Sequence, residues 1–247
     1  MTQETSGAEL NGTDHRLPLH ARVKDDLMRR IKANEWSSGV PLPSEAQLTA
    51  EYDISMGTMR KVLAELAADG IIERLQGKGT FVRRASFNQS LFRFFRQPTG
   101  GQTPESRIVD RQEQPASAVV AEKLRLEVGA PVLYLKRLRL RDGAAFQLED
   151  IWLPLPDAQP IAEVELDQLG SLLYPEYEQR MGLVIGSASE SLSICVATPE
   201  QGRQLGCAAA EPLVKINRIA RTHSGEAAEY RESYGLASSF QYEVEIN

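Results

Sequence analysis

The sequence predicts an α+β fold in two parts, and three observations carry that expectation. Between Leu42 and Val82, two short helical patterns, each with its own start and stop signal, lead into a short hairpin pattern. Beyond residue 130, apolar and polar residues alternate on both sides of the turn Asp142-Gly143. Between these regions, residues 83–106 shift composition twice and include Pro98, Gly100, Gly101 and Pro104, as a connection does. The chain thus divides into a disordered leader (1–14), a first domain (15–84), a linker (85–104) and a second domain (105–247).

The first element is read from Leu17 to Trp36. There Leu19, Val23, Leu27 and Ile31 fall four apart on one stripe, with Met28 beside it, as in an amphipathic helix. Pro18 stands where a helix start tolerates proline. This helix closes a three-helix core around the next two, which alone would bury too little surface to hold together. Ser44 can cap the second helix through its hydroxyl, and Gln47 three residues on completes a capping box. Pro43 keeps Leu42 extended. The helix ends near Tyr52-Asp53, and Ser55 offers a second cap. From there Met59, Val62, Leu63 and Leu66 recur at helical spacing, which turns Arg60, Lys61 and Ala64 outward. Gly70, free to take φ > 0, stops that helix. Ile71-Ile72 and Phe81-Val82 then bracket the polar turn Gln76-Gly77-Lys78-Gly79, a hairpin. Helix, turn, helix and basic ribbon make a winged helix-turn-helix.

Composition bounds the function. In 247 residues, 42% hydrophobic and 25% charged, there is enough apolar surface for one or two packed domains. No apolar run approaches the roughly 20 residues of a membrane helix. The start, MTQETSGAELNGTDHR, lacks a signal peptide's apolar core, so a cytoplasmic location is expected, with no membrane partner. Cys195 and Cys207, the only cysteines, are expected to stay reduced and buried. The net charge of −6 does not by itself suggest a nucleic-acid binder, but its distribution is more informative: residues 1–84 hold 12 basic and 12 acidic residues, residues 85–247 hold 16 and 22. Within 60–84, Arg60, Lys61, Arg74, Lys78, Arg83 and Arg84 face only Glu65, Asp69 and Glu73, a local excess suited to phosphate contact.

The stretch from Pro18 to Val82 resembles the DNA-binding domain of the GntR family of bacterial repressors. The resemblance rests on Pro18-Leu19, Gly39, Leu42-Pro43-Ser44-Glu45, Leu48, Ser55, Thr58, Arg60, Leu66, Gly70, Ile72 and Gly77-Lys78-Gly79-Thr80-Phe81-Val82. It implies a homodimer on a palindromic double-stranded DNA operator, with the second helix of the pair in the major groove and the wing tip at the adjacent minor groove. Recognition helices present their first residues to base edges, so Ser55, Met56, Gly57, Thr58, Arg60 and Lys61 are the candidate contacts, with Ser44 before the preceding helix. Arg60 suits guanine O6/N7 or a phosphate. At the wing, Gly77 and Gly79 permit a tight turn that pushes Gln76 and Lys78 outward. For Ser44 and Ser55, capping competes with DNA contact and is favoured. Many family members carry arginine where this chain has Ala46 and Met56, so fewer charged contacts or a different operator is expected.

In the second half, Val132–Arg141 places Leu133, Leu135, Arg137, Arg139 and Arg141 on one strand face, and Ala145–Leu153 returns with Gln147, Glu149, Ile151 and Leu153 on one side. Leu166–Met181 and Pro199–Ala209 read as helices. Leu213–Thr222, Ala227–Tyr234 and Phe240–Ile246 read as strands. An antiparallel sheet with helices on one face is the expected outcome. The cluster Leu91-Phe92-Arg93-Phe94-Phe95 is richer in aromatics than a bare linker and is expected to dock on this domain.

This half resembles the UTRA effector domain of the HutC-type branch of the same family, with a chorismate-lyase-like fold. The matching residues include Pro131-Val132-Leu133, Arg137-Leu138-Arg139, Asp142-Gly143, Leu148-Glu149, Glu190, Pro212-Leu213, Arg218, Gly225 and Tyr234. The resemblance implies a small-molecule effector that shifts DNA affinity, with Arg137, Arg139, Glu149 and Tyr234 as ligand residues. A family Arg-X-Asp pattern is replaced by Gly235-Leu236-Ala237-Ser238. Two arginines two apart on one strand converge on the same space and suit a phosphate or carboxylate, as in a phosphorylated sugar, an amino acid or another carboxylate. Glu149 across the hairpin can accept from hydroxyl or amino groups. A surface cross-strand ion pair is the plainer alternative.

No catalytic residue, metal or cofactor is expected. His15, His20 and His223 are scattered, and no phosphate-loop or dinucleotide glycine pattern follows a strand. The expectation is a metabolite-responsive transcriptional repressor. A winged helix used for protein contacts, or a lyase in the second domain, is the alternative.

Overall fold

The structure, a computed structural model, describes residues 17–33, 35–36, 39–83 and 104–241. It divides the chain into two compact units, Met1–Arg84 and Ala85–Asn247.

In the first unit, α1 (Leu19–Lys32), α2 (Glu45–Glu51) and α3 (Met56–Ala68) precede a hairpin of β1 (Ile72–Leu75) and β2 (Gly79–Val82). The capping chemistry explains the boundaries. Gln47 N–H donates to Ser44 Oγ at 3.3 Å while Gln47 Oε1 accepts from Ser44 N–H at 2.8 Å, the reciprocal box. Thr58 N–H donates to Ser55 Oγ at 3.1 Å. Gly70, at φ 71°, ends the last helix. Val23, Leu27, Leu48, Met59, Val62 and Leu66 are fully buried in one cluster with Ile72 and Val82 of the wing. Each such side chain contributes roughly 1.5–3 kcal/mol of burial. Inside it, Tyr52 Oη donates to the buried Asp26 carboxylate at 2.6 Å and accepts from Arg30 at 2.9 Å.

The second unit is a six-stranded antiparallel sheet in the order β3-β4-β5-β8-β7-β6. Its strands are β3 (Glu105–Pro115), β4 (Pro131–Arg141), β5 (Ala144–Pro154), β6 (Ile185–Val196), β7 (Pro212–Thr222) and β8 (Ala227–Leu236). The connecting helices are α4 (Ala118–Leu124), α5 (Gln159–Glu163), α6 (Leu173–Met181) and α7 (Pro199–Leu205). Helices cover both faces, not the one face expected. Leu133, Leu135, Ile151 and Leu153 pack under α5 and α6. Val132, Trp152 and Tyr230 pack against α4 on the opposite face, and Leu148, Leu213 and Tyr234 against Leu205 of α7. The alternation on β4 and β5 had one side apolar only in part, so periodicity pointed to a single covered face.

Two further differences have local causes. The helix expected over Leu166–Met181 is split into a 3-10 turn at Leu166–Gln168 and α6. Pro175 has no N–H for the carbonyl four residues earlier, Ser171, so a continuous helix could not bond there. A 3-10 turn at Ala237–Ser239 follows β8, and the strand expected over Phe240–Ile246 lies, from residue 242 on, outside the described residues, as do the leader and the Leu91–Phe95 cluster. Cys195 and Cys207 are free and half-buried, because each packs at the rim of the α7 cluster rather than inside it.

Candidate nucleic-acid interface and effector site

The first unit presents its candidate residues at the start of α3 and on the wing. Ser44, Ser55, Met56, Gly57, Arg60, Lys61, Gln76, Gly77 and Lys78 are exposed, and Thr58 is half-buried. Ser44 and Ser55 are occupied as caps, and Ser55 Oγ also meets Thr58 Oγ1 at 2.8 Å. A Cβ added at Gly57 would meet only Ser55 Oγ, at 3.8 Å, so nothing within the unit demands glycine there. Gly77 takes φ 73°, which lets the wing turn between Leu75 and Gly79. Lys61 Nζ lies 3.2 Å from His20 at the start of α1. Arg60 Nε donates to Glu45 Oε2 at 3.1 Å, and Arg74 Nη2 of β1 donates to Glu45 Oε1 at 2.9 Å. Sequence reasoning counted Arg74 only as local charge and gave Glu45 no role.

The second unit gathers a different set of charges. Arg137, Arg139 and Arg141 share one face of β4, and cross-strand register puts Glu149 beside Arg137 and Gln147 beside Arg139. On β8, Ser233 is opposite Glu149 and Arg231 opposite Ile151, so both lie on that same face. Tyr234 does not. It is paired with Leu148, one residue out of phase with Glu149, and points to the opposite face, where its hydroxyl donates to Glu232 at 2.5 Å. A strand's alternation separates it from the arginine pair, although residue similarity had grouped them.

Arg137, Arg139, Glu149, Arg218, Glu229 and Arg231 are all buried. The plainer expectation of a surface ion pair is therefore not what the sheet builds. Arg137 Nε donates to Glu149 Oε2 at 2.5 Å, and Arg231 Nη1 to Glu149 Oε1 at 3.3 Å. Arg231 also donates through Nε and Nη2 to both oxygens of Glu229, at 3.0 and 2.7 Å. Glu229 in turn accepts from the hydroxyls of Tyr174 and Tyr177 on α6, at 3.0 and 2.8 Å. Arg218 pairs with Glu190 of β6, its Nε 2.6 Å from Oε1. Burial pushes the Glu149 carboxyl upward, but Arg137, Arg231 and Arg139 together more than offset it and hold the group at about 2. Burial and the Glu229 charge push the Tyr174 hydroxyl up to about 12.

Arg139 is the exception. It has no carboxylate partner among the described residues and donates only to the Ser171 carbonyl. That oxygen is free because Pro175, four residues on, offers no N–H. Arg139 Nε and Nη2, Arg137 Nη1 and Gln147 Oε1 are buried without hydrogen-bond partners. Burial first, then the neighbouring Arg137, lowers the Arg139 guanidinium to about 10, where it remains charged at neutral pH. The arrangement can bind an anion at Arg137 and Arg139 and polar groups beside Gln147, Glu149 and Ser233. Sequence reasoning missed Arg231, Glu229 and Ser233, although the period-two run Glu229, Arg231, Ser233 on β8 was there to be read. Among the described residues, no group of three His, Cys, Asp or Glu side chains is placed to hold a metal ion. No helix of these residues is long and apolar enough to cross a membrane.

Fold and site together define a transcription regulator with a winged-helix DNA-binding unit and a small-molecule-binding sheet unit. Comparison with known proteins makes this specific. Residues 19–82 match the family model of bacterial regulatory proteins, gntR family, and residues 99–241 match the UTRA domain. The chain belongs to the GntR family, in the branch that carries a UTRA domain. It is similar to the "Probable fructoselysine utilization operon transcriptional repressor" of Escherichia coli (strain K12), at 31% identity over 82% of this chain and 84% of that protein. It is also similar to the HTH-type transcriptional repressor NagR of Bacillus subtilis (strain 168), at 28% identity over 88% and 90%. Among solved structures, the ligand-binding domain of a GntR-family regulator from Bordetella bronchiseptica matches with a TM-score of 0.56 and 28% identity, covering 63% of this chain and 98% of that one. The chain is thus a metabolite-responsive, DNA-binding transcription regulator.

Proposed function

We propose that this regulator is a cytoplasmic repressor that binds a palindromic operator as a homodimer and acts without catalysis. In this reading the start of α3, from Ser55 to Lys61, enters the major groove, with Arg60 as its main base contact. Gln76, Gly77 and Lys78 at the wing tip follow the neighbouring backbone, and Ser44 caps α2 close to it. An anionic effector is held by Arg137 and Arg139, with Glu149, Gln147 and Ser233 meeting its hydroxyl or amino groups. The observation that carries the effector assignment is Arg139, a buried cation with no carboxylate and two nitrogens without partners. Leaving such a charge unmatched is costly unless a ligand supplies the counter-charge. The name of one relative, a fructoselysine utilization operon repressor, supports sugar derivatives as candidates. Effector binding shifts DNA affinity only by the difference in its affinity for the two domain arrangements.

The test has two arms. A gel shift with the DNA upstream of the chain's own gene should give salt-sensitive, sequence-specific binding that Arg60→Ala weakens by about tenfold or more; binding unaffected by that change would remove Arg60 from the interface. A thermal-shift screen of phosphorylated sugars, amino acids and carboxylates should raise Tm by several degrees for the right class, because a ligand at 100 times its Kd adds about 2.7 kcal/mol. The shift should vanish in Arg137→Ala and in Arg139→Met. A retained response in both variants would place the effector elsewhere.

A further inference from the structure

On the DNA-facing side of the first unit, one carboxylate holds two guanidiniums that come from two different elements. Glu45 is the first residue of α2, Arg60 lies in the second turn of α3, and Arg74 is in β1 of the wing. Each Glu45 oxygen takes one arginine, Oε2 from Arg60 at 3.1 Å and Oε1 from Arg74 at 2.9 Å. The arginine side chains stay 68% and 50% exposed, so both keep N–H groups free to turn to a second acceptor. Stability does not explain the arrangement, since exposed ion pairs of this kind add little to it. An acidic residue in a helix's first turn also suits the helix dipole, but that role needs no arginine from the wing.

Local charge makes the arrangement more pointed. Positions 46 and 56 are Ala and Met, so the exposed cations of α3 and the wing strands with their turn are Arg60, Lys61, Arg74 and Lys78. Two of these four are tied to Glu45. A carboxylate there repels phosphate, so it lowers affinity for DNA of any sequence. It also fixes the direction of a long, rotatable side chain. A guanidinium anchored through Nε presents its two terminal nitrogens as a fork, the geometry that reads guanine O6 and N7.

We propose that Glu45 is the positioning residue of the DNA-reading face, trading general affinity for discrimination. It orients Arg60 for base contact, couples the recognition helix to the wing through Arg74, and withholds both arginines from opportunistic phosphate contacts. This rests on the assignment of Arg60 to the DNA interface.

The test uses the full chain with two probes: a duplex enriched from a random-sequence library on the wild-type chain, and a scrambled duplex of the same base composition. Affinity for each is measured across a salt series for wild type, Glu45→Gln, Arg60→Ala and the double variant. In Glu45→Gln, affinity for the scrambled duplex should rise several-fold with a steeper salt dependence, while the ratio of enriched to scrambled affinity falls about tenfold or more. In the Arg60→Ala background the same change should no longer lower the ratio. Equal gains on both duplexes would reduce Glu45 to a local charge and overturn the proposal, as would an unchanged ratio or additive effects in the double variant. A large fall in Tm for Glu45→Gln would assign it to folding instead and overturn the proposal too. If Arg60→Ala binds both duplexes as wild type does, the interface assignment itself fails, which is distinct from a failure confined to Glu45.

Discussion

The two units of this chain handle charge in opposite ways. In the winged helix the core is apolar apart from the Asp26–Tyr52–Arg30 contact, and Arg60 and Arg74 sit outside, tethered by the half-buried Glu45. In the sheet unit the charges are inside: among the described residues, eight of the nine buried polar or charged residues belong to it, and Asp26 is the ninth. DNA is a repeating polyanion that an exposed surface can meet in water, where each contact is worth little alone and many act together. A small effector offers few groups, so each must be matched in a site that excludes water, where an unmatched charge is expensive. On the proposed assignments, the position of charge follows the partner. It also sets how each unit responds to mutation.

The largest response is expected from Glu229, which accepts from Arg231, Tyr174 and Tyr177 at once. Glu229→Ala leaves a buried Arg231 without its bidentate partner, and urea unfolding should lose about 3–5 kcal/mol. A loss below about 1 kcal/mol would mean that water enters the cluster freely and that the contrast between the units is false.

Acid should act on the same cluster. The Glu149 carboxyl sits at about 2 against an ordinary value of 4.5, because of Arg137, Arg231 and Arg139. A lowered folded-state value means that the unfolded chain binds the proton more readily, so stability falls as the pH drops. The contribution is fully present above about 4.5, is lost progressively towards 2, and amounts to about 3 kcal/mol. Urea midpoints of wild type measured at steps across that window should decline, and those of Glu149→Gln, destabilised from the start, should decline less.

Arg139 should break the pattern by sign. Arg139→Met removes a buried cation that has no carboxylate, so the effector-free chain should lose no stability and gain up to roughly 2 kcal/mol. A clear loss would reveal a counter-charge for Arg139 and weaken the anion assignment. The smallest effects belong to the winged helix. Ser44→Ala breaks the capping box and should cost about 1 kcal/mol, whereas Glu45→Gln should cost less than that while altering DNA discrimination. Thermal unfolding of the two variants side by side checks the order.

The first unit was legible almost residue by residue because its signals are local. Caps at Ser44 and Ser55, the stop at Gly70 and the turn at Gly77 each act within four residues of chain, and the structure places the elements where these signals put them. An omission there, the Glu45 link, joins residues 15 and 29 positions apart. The sheet unit was legible in part. The shared face of Arg137, Arg139 and Glu149 was legible because a hairpin's register follows from its turn. Tyr234 was misplaced, and Arg231, Glu229 and Ser233 were missed, because they reach the cluster through pairing between β5 and β8, some 80 residues apart.

The sequence by itself determined the winged helix and the strand face that carries the arginine pair, since each depends on short-range backbone preferences and period-two alternation, and residue-by-residue resemblance pointed to the family. Only the tertiary structure decided which charges are neutralised and which are not. That depends on long-range register and on burial, which set the strength of every charge interaction. Arg137 and Arg139 are the same residue two positions apart on one strand. One is paired with a carboxylate and the other is not, because β5 brings Glu149 to the first and a neutral Gln147 to the second.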